Sequence, residues 1–449
     1  MTTSFNRLAP ELVLAIGEAL EDESRIETTD TDEDEQKQRP AKNKDLLSLS
    51  AASRALRSTL APLLYRSVNL SNTEKSIEYC RQIADSAAKA YVKELHFSAS
   101  TYLPDPYERN DEDSRNLNDV EGCLPHGAIA ILSDLTCFPQ LEKLVVKFAY
   151  DDHNWWSMAY EDDWPDIESE GEGREQEATE AWRALPAKAF LAISDNKPGV
   201  IKHFEYRNAF PRVVTSWWTK DFAALLGGLE SFKISLAGGD NGAGWQINTA
   251  SQYAGFVSQL GEAFFDELHS IKRLDIAASD SGPIGCDSYR NAAYALPSKG
   301  MPHLRELRLE QVFIDWMLHR FFKAHSGVLE VVEMRNCYAS QEDCDWHALF
   351  NAIAANDPQQ LTRFSLEPKK TDFDPQFCEV SEEDQARVRQ AIQENPSKRL
   401  FPFAYLDDKY GFTFDVDDAS LASFMAGEDQ RAWDSLQDLI TRNNSQRGV

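Results

Sequence analysis

Several features that would mark a secreted, membrane-spanning or nucleic-acid-binding protein are scarce in this 449-residue sequence. Its seven cysteines form no CxxC pair, and their odd number favours a reduced intracellular protein over a disulfide scaffold or a zinc site. No stretch of about 18 apolar residues suggests a membrane span, and no N-terminal run resembles a signal peptide. With 46 basic and 74 acidic residues, the net charge of −28 disfavours non-specific binding to nucleic acid or anionic membranes. We therefore expect a soluble cytoplasmic or nuclear protein.

Recognisable catalytic motifs are equally scarce. The nine histidines occur in no metal-ligand spacing, and neither a GxSxG motif nor a phosphate-loop lysine is present. Cys344 is followed by Asp345 and His347, but no second histidine or cysteine nearby completes a ligand set. We predict a non-catalytic protein without catalytic, cofactor-binding or metal-binding residues, and with no cofactor. A cysteine–histidine pair assembled by the fold stays open.

In place of catalytic motifs, the sequence contains a repeated pattern of apolar residues. Residues 304–337 begin with the LxxLxL spacing of Leu304, Leu307 and Leu309, continue through a helix-like stretch, and return to the same spacing at Leu329. Apolar residues at the first, fourth and sixth positions predict a short strand with its side chains directed toward one interior. Eight such segments occur, beginning at Val92, Leu141, Ile201, Leu229, Ile271, Leu304, Leu329 and Leu361.

One strand and one helix per repeat are typical of a leucine-rich solenoid, although the starts of the segments lie 25 to 60 residues apart. Cys337 takes the ninth position of its repeat, where a small residue fits inside the turn. The helix after Leu309 is predicted to share one apolar face among Phe313, Trp316, Met317, Phe321 and Ala324. An ordinary α/β domain with parallel strands is the alternative.

Two amphipathic helices precede these repeats. Residues 5–20 place Leu8, Leu12, Ile16 and Leu20 at four-residue intervals, which predicts one apolar stripe. Residues 44–65 carry a second stripe and contain Pro62, which we expect to break the helix. About 40 residues are too few to bury both faces of these helices, so they form either a cap on the repeats or a docking face for a partner.

The two helices resemble an F-box, in particular the form found in proteins of filamentous fungi. The matching positions are Leu8, Glu11, Leu12, Ile16, Leu20, Leu46, Leu47, Leu49, Ser53, Arg54, Leu56, Leu64 and Tyr65. The sequence departs from the family at Ala9, where a proline is usual, and in an acidic insert at 21–42 between the helices. The resemblance implies a short all-helical domain that binds a Skp-type adaptor. The implied adaptor-binding residues are Leu8, Pro10, Leu12, Ile16, Leu46, Leu47 and Leu49.

These patterns predict an α/β fold class: a short all-helical F-box followed by an irregular leucine-rich-repeat solenoid with a C-terminal cap. The boundaries are 1–70 for the F-box-like domain with its insert at 21–42, 71–370 for the solenoid, and 371–449 for the cap and tail. Acidic stretches at 105–121 and 161–180 interrupt the early repeats, and the second is predicted to be a mobile excursion. Tryptophan pairs at 155–156 and 217–218 are expected to pack in the core, or else to anchor a partner.

The third, fifth and seventh positions of each repeat should point away from the core. Eight basic and seven acidic residues occupy these 24 positions, which is a basic enrichment in a chain of charge −28. Pairing of opposite charges along the sheet would explain it; the alternative is that unpaired arginines receive an acidic or phosphorylated target segment. The candidate target-binding residues are Lys143, Arg207, Lys233, Arg273, Arg308 and Arg335.

The resemblance and the repeats together predict the substrate-recognition subunit of a Skp–cullin–F-box ubiquitin ligase. Its partners would be a Skp-type adaptor, through it a cullin, and an unidentified target protein, with no nucleic acid and no membrane. The alternative is a non-catalytic leucine-rich scaffold or interaction protein whose degenerate F-box lies outside any ligase.

Overall fold

The computed structural model describes residues 9–26, 44–101, 119–150, 170–250, 252–285, 292–297, 299–340, 344–367 and 381–447. Nine parallel strands form one sheet in which each strand pairs with the next along the chain. They are β1 (Ser67–Ser71), β2 (Glu94–Ser100), β3 (Lys143–Ala149), β4 (His203–Ala209), β5 (Ser231–Leu236), β6 (Arg273–Ala277), β7 (Glu306–Glu310), β8 (Val331–Arg335) and β9 (Arg363–Glu367).

Each of the eight apolar segments found in the sequence contains one of the strands β2 to β9, so those eight strands are confirmed. Burial alternates along most of them because successive side chains of a strand point to opposite faces. In β3 and β4, Val145 and Glu205 on the other face are buried as well. The fourth and sixth positions, such as Leu144 and Val146, are fully buried. The sequence pattern missed β1, whose five residues bury only Val68 and Leu70.

The predicted leucine-rich solenoid is wrong. The fold is α/β, with one nine-stranded all-parallel sheet and fourteen α-helices in the described residues. The connections between strands do not repeat one unit: β3 and β4 are joined through two helices, Glu170–Thr179 and Ala181–Ser194, whereas the described part between β6 and β7 contains no α-helix. The alternative of an α/β domain with parallel strands describes the structure.

The described parts of the remaining connections each carry one α-helix. These are Glu74–Ala84, His126–Ser133, Lys220–Gly227, Tyr253–Ala263, Trp316–His325 and Trp346–Ala355. They pack against one face of the sheet. The core between helices and sheet contains a cluster of aromatic rings, in which Phe190 of the helix Ala181–Ser194 lies 5.2 Å from Tyr206 and 5.7 Å from Trp217. Trp217 is buried as predicted for a core residue, whereas Trp155 and Trp156 lie outside the described residues.

The apolar face predicted for the helix after β7 is only partly right. Asp315 caps the helix Trp316–His325 by accepting a hydrogen bond from the Leu318 N–H. The helix begins one turn later than predicted, so Phe313 lies outside it. Trp316, Met317 and Ala324 of the predicted face are exposed. Its buried face consists of Leu318, His319, Phe321, Phe322 and His325.

Three N-terminal helices, Pro10–Ile26, Lys44–Ala51 and Arg54–Leu64, share a small apolar cluster of their own. Gly17 lets the first helix approach the third, because a Cβ atom there would lie 2.7 Å from Leu63 Cδ1 and 2.9 Å from Leu60 Cδ2. The second and third helices meet at Ser53, whose side chain accepts from the Leu56 N–H. Pro62 lies inside the third helix, so the predicted break there is wrong.

The C-terminal part contains three helices, Glu382–Glu394, Asp417–Ala426 and Glu428–Arg447, and an antiparallel hairpin of β10 (Ala404–Leu406) and β11 (Thr413–Asp415). Trp433 of the last helix packs against Phe350 and Phe364, with ring centroids 5.3 and 5.9 Å apart. This helix thereby covers the end of the main core near β9, the position that the sequence suggested for a cap.

Two further expectations concern mobility and cysteine chemistry. The second half of the acidic stretch 161–180 folds as the helix Glu170–Thr179, so a mobile excursion is wrong for that half. Cys80, Cys123, Cys137, Cys337 and Cys344 are free thiols, and Cys337 is fully buried, where its Sγ lies 3.2 Å from the Arg335 carbonyl oxygen. Among the described helices, none combines the length and the apolar character that crossing a membrane requires.

Candidate interaction surfaces

The outer side of the N-terminal helices presents exposed leucine and isoleucine side chains. Leu12, Ile16 and Leu47 are 55%, 38% and 56% exposed, and Pro10 is exposed beside them. The predicted stripe of the first helix thus lies on its solvent side. Val13 and Gly17, one position further along, face the cluster instead. The helix is apolar on two sides, and only one of them is covered.

The seven residues implied as adaptor-binding divide into three groups. Pro10, Leu12, Ile16 and Leu47 form the exposed group, which we call the apolar face. Leu46 is fully buried in the small cluster and Leu49 is half-buried against it, so these two support the helices from within. Leu8 lies outside the described residues.

The open face of the sheet carries the charged residues that the strand pattern predicted. Its middle forms a groove of about 410 Å³ that strands β3 to β8 line. Six basic and four acidic side chains line it, and all six predicted target-binding residues are among them: Lys143, Arg207, Lys233, Arg273, Arg308 and Arg335. The structure therefore brings these six together on one surface.

Glu205 is the centre of the charge network at the β3–β5 end of the groove. Its carboxylate lies 2.7 Å from Lys143 Nζ, 2.9 Å from Arg207 Nε and 3.4 Å from Lys233 Nζ. Burial alone would raise the pKa of Glu205, but Arg207, Lys143 and Lys233 together hold it well below its usual range. This carboxylate is thus ionised, and it fixes three cationic side chains within one small area.

In the other half of the groove, each arginine pairs with a different carboxylate. Arg273 binds Asp275 at 2.7 Å, Arg308 binds Glu333 at 2.8 Å, and Arg335 binds the exposed Glu367 at 3.0 Å. Each of the six predicted basic residues therefore has a carboxylate partner, and the interpretation with unpaired arginines is wrong. Pairing along the sheet is the arrangement found.

Pairing does not make the groove neutral. Around Glu205, three cations share one carboxylate, which leaves two positive charges in this area. The Lys143, Arg207 and Lys233 side chains are about one-third to one-half exposed, so they can donate further hydrogen bonds to a ligand. Carboxylates or phosphates are the groups that such a set attracts.

One cysteine–histidine pair is assembled by the fold. The Cys344 Sγ lies 2.9 Å from His319 Nε2, and both side chains are buried. Burial lowers the pKa of His319. The contact joins the helix Trp316–His325 to the turn before Trp346–Ala355, and its burial withholds the sulfur from a substrate in this conformation.

Asp345, His347 and Asp429 are the described residues closest to a metal-binding arrangement. Their ligand atoms lie within 4.8 Å of one another. Sequence reasoning missed Asp429 because it is distant in the chain. Internal hydrogen bonds already use these groups: Asp345 Oδ1 accepts from the Ala348 N–H at 2.8 Å, and Asp429 Oδ1 accepts from the His347 N–H at 2.7 Å. The group therefore ties the last helix to the helix Trp346–Ala355.

Comparison with known proteins leaves the chain without an assigned family. No family model matches it, and no curated protein does.

Proposed function

We propose that this chain is the substrate-recognition subunit of a Skp–cullin–F-box type ubiquitin ligase. In this proposal the N-terminal helices bind the Skp-type adaptor, and the charged groove of the parallel sheet binds the target protein. The observation that carries the proposal is the apolar face on helices whose sequence resembles an F-box.

The apolar face supports adaptor binding in two ways. First, Leu12, Ile16 and Leu47 do not contribute to the small cluster beneath them, so the packing of these helices leaves them for a partner. Second, that cluster is separate from the main core of the sheet. A patch of aliphatic side chains on a small helical unit suits the docking of a partner's helices, which bury it.

The proposal predicts which proteins accompany the chain in cells. A tagged full-length chain should co-purify with a Skp-type adaptor and, through it, with a cullin. The adaptor should be lost from the eluate when Leu12 is changed to aspartate. Recovery of stable partners without adaptor or cullin would instead favour a scaffold outside any ligase.

The charged groove supports recognition of an acidic or phosphorylated segment of the target, because its Glu205 end carries the excess of positive charge. The double variant Arg207→Gln/Lys233→Gln should weaken target binding about tenfold or more, since hydrogen bonds to charged groups contribute roughly 1.5–3 kcal/mol. Neutral glutamine is preferable to glutamate, which would place like charges beside Glu205. Binding to a co-purified target would be measured by titration calorimetry.

A matched control exists outside the groove. Lys272 pairs with Glu230 at 2.7 Å, and Arg305 pairs with Glu330 at 3.4 Å. The variant Lys272→Gln/Arg305→Gln removes the same number of paired cations and should leave target binding unchanged. Equal weakening by both double variants would show a general charge effect and would remove the groove from the proposal.

A further inference from the structure

The β10–β11 hairpin and the neighbouring Trp245 carry a row of exposed and half-buried aromatic rings that the proposed function does not use. Tyr405 and Phe414 are direct cross-strand partners, and their ring centroids lie 5.5 Å apart. Phe412 continues the row at 6.1 Å from Phe414, Tyr410 follows at 6.4 Å from Phe412, and Trp245 lies 5.3 Å from Tyr410. We call these five residues the aromatic row.

The exposed rings lie on the side of the hairpin that does not pack against the rest of the described chain. Its inner face, Ala404 and Leu406, is buried against Phe313 and Tyr338. The outer face leaves Tyr405 52% and Phe414 44% exposed. Exposed aromatic side chains in contiguous patches are typical of surfaces that bind a partner.

The hairpin is also held firmly at its tip. The Gln246 N–H donates to the Tyr410 carbonyl oxygen at 2.9 Å, and Asn248 Nδ2 donates to the Gly411 carbonyl oxygen at 3.0 Å. Gly411 has a φ of 77°, and a Cβ atom there would lie 2.0 Å from Asn248 Oδ1, so only glycine permits this approach. The aromatic row is therefore presented on a positioned support.

The charges beside the row have one dominant sign. Asp407, Asp408 and Asp415 belong to the hairpin, against the single cation Lys409. The Lys409 Nζ lies 4.5 Å from the centre of the Tyr410 ring, which is cation–π geometry. An aromatic row with an acidic border complements a ligand that carries positive charge on flexible apolar stems, as lysine and arginine do.

We propose that the aromatic row is a docking surface for a basic segment of a partner protein, whose arginine or lysine side chains lie across the rings. In the described part of the chain, β11 pairs only with β10, and its Phe414 and Asp415 side chains are exposed to an approaching segment. This surface has the opposite charge preference to the groove, so the two surfaces would take different ligands. Binding at the aromatic row would require neither the adaptor nor the target proposed above.

Synthetic peptides test the proposal with the full-length chain. The probes are three acetylated decapeptides in which threonine alternates with arginine, glutamine or glutamate. Calorimetric titration should rank the arginine peptide at least about tenfold tighter than the glutamine peptide, with the glutamate peptide weakest, because cation–π contacts add to charge attraction. Equal affinities for the arginine and glutamine peptides would overturn the proposal.

Two ring-replacement variants separate the aromatic row from the general acidity of the chain. Tyr405→Ile/Phe414→Ile keeps apolar, strand-favouring side chains but removes two π faces, and it should lose about tenfold in affinity for the arginine peptide. Tyr79→Ile, at an equally exposed tyrosine on the helix Glu74–Ala84, should bind as the native protein does.

An unchanged thermal unfolding temperature of both variants would verify that the fold is retained. If the double variant unfolds at a lower temperature, Phe412→Leu supplies a second, milder test. Native-like binding of the arginine peptide by folded ring variants would show attraction to the overall negative charge only, and would contradict the proposal.

Discussion

At the scale of single residues, Glu205 is the most informative side chain. It lies on β4 with only 5% of its side chain exposed, and Lys143, Arg207 and Lys233 surround it. Removing a buried carboxylate from such a set leaves several cations facing one another without compensation. Its position at the middle of three strands explains why one residue holds three partners.

We predict that Glu205→Gln lowers the free energy of unfolding by about 1.5–3 kcal/mol at pH 7, the range for hydrogen bonds to charged groups. The neighbouring cations lower the pKa of Glu205 in the folded state, although burial opposes them. The stabilisation is therefore complete above the unfolded pKa of about 4.5 and is lost as the pH falls through the folded value. Urea unfolding at pH 7 and pH 3 should show the native–variant difference shrinking at the lower pH.

Glu367→Gln is the control for this prediction. Among the described residues Glu367 pairs with Arg335 alone, and it is 64% exposed, so its loss should change stability little at either pH. A difference between native protein and Glu205→Gln that stays constant from pH 7 to pH 3 would contradict the account of the charge network.

At the scale of elements, the strands were predictable and the helices less so. The strands β2 to β9 follow from apolar residues at the fourth and sixth positions, because burial on one face enforces a period of two. The buried face of Trp316–His325 was misread because tertiary packing, rather than the local apolar pattern, decides which side of the helix faces the core. Polarity alone did not reveal that His319 and His325 are buried. The contact of Asp429 with His347 depends on how the last helix packs, which local patterns do not encode.

The candidate surfaces were also only partly predictable from the sequence. The six basic residues of the groove were predictable because strand position fixes the direction of a side chain. Pairing along the sheet was also expected, but the individual partners were not, since they require the order and register of the strands, which place Glu205 between Val145 and Lys233. The aromatic row was missed because it depends on the pairing of β10 with β11 and on the contact of Tyr410 with Trp245, which is distant in the sequence.

Gly17 provides the prediction at this scale. Gly17→Val should push the first helix away from Leu60 and Leu63, because even a Cβ atom would lie within 3 Å of both side chains. Overpacking of this kind costs about 1–3 kcal/mol, so hydrogen exchange of the helix Pro10–Ile26 should accelerate while the strands stay protected.

Ala19→Val, at an exposed position of the same helix, should leave that exchange almost unchanged. Similar exchange in both variants would mean that the first helix is not packed against the third through Gly17.

At the scale of the whole molecule, the charged surface and the apolar surface lie on different elements. A chain of charge −28 keeps a groove with six basic and four acidic lining residues on the open face of its sheet. The apolar face lies on the N-terminal helices, with a cluster separate from the core behind that sheet. If the proposed function is right, substitutions in the apolar face should change adaptor binding without changing target binding at the groove.

The most direct test of this account is the affinity of the full-length chain for a purified Skp-type adaptor, measured by titration calorimetry. Leu12→Asp should bind at least about 30-fold more weakly, because losing a leucine at the centre of an interface costs 2 kcal/mol or more. Leu191→Asp, at an equally exposed leucine on the helix Ala181–Ser194, should bind as the native chain does, and both variants should unfold at the native temperature. Native-like adaptor binding by Leu12→Asp, or no adaptor binding by the native chain, would contradict the proposed function.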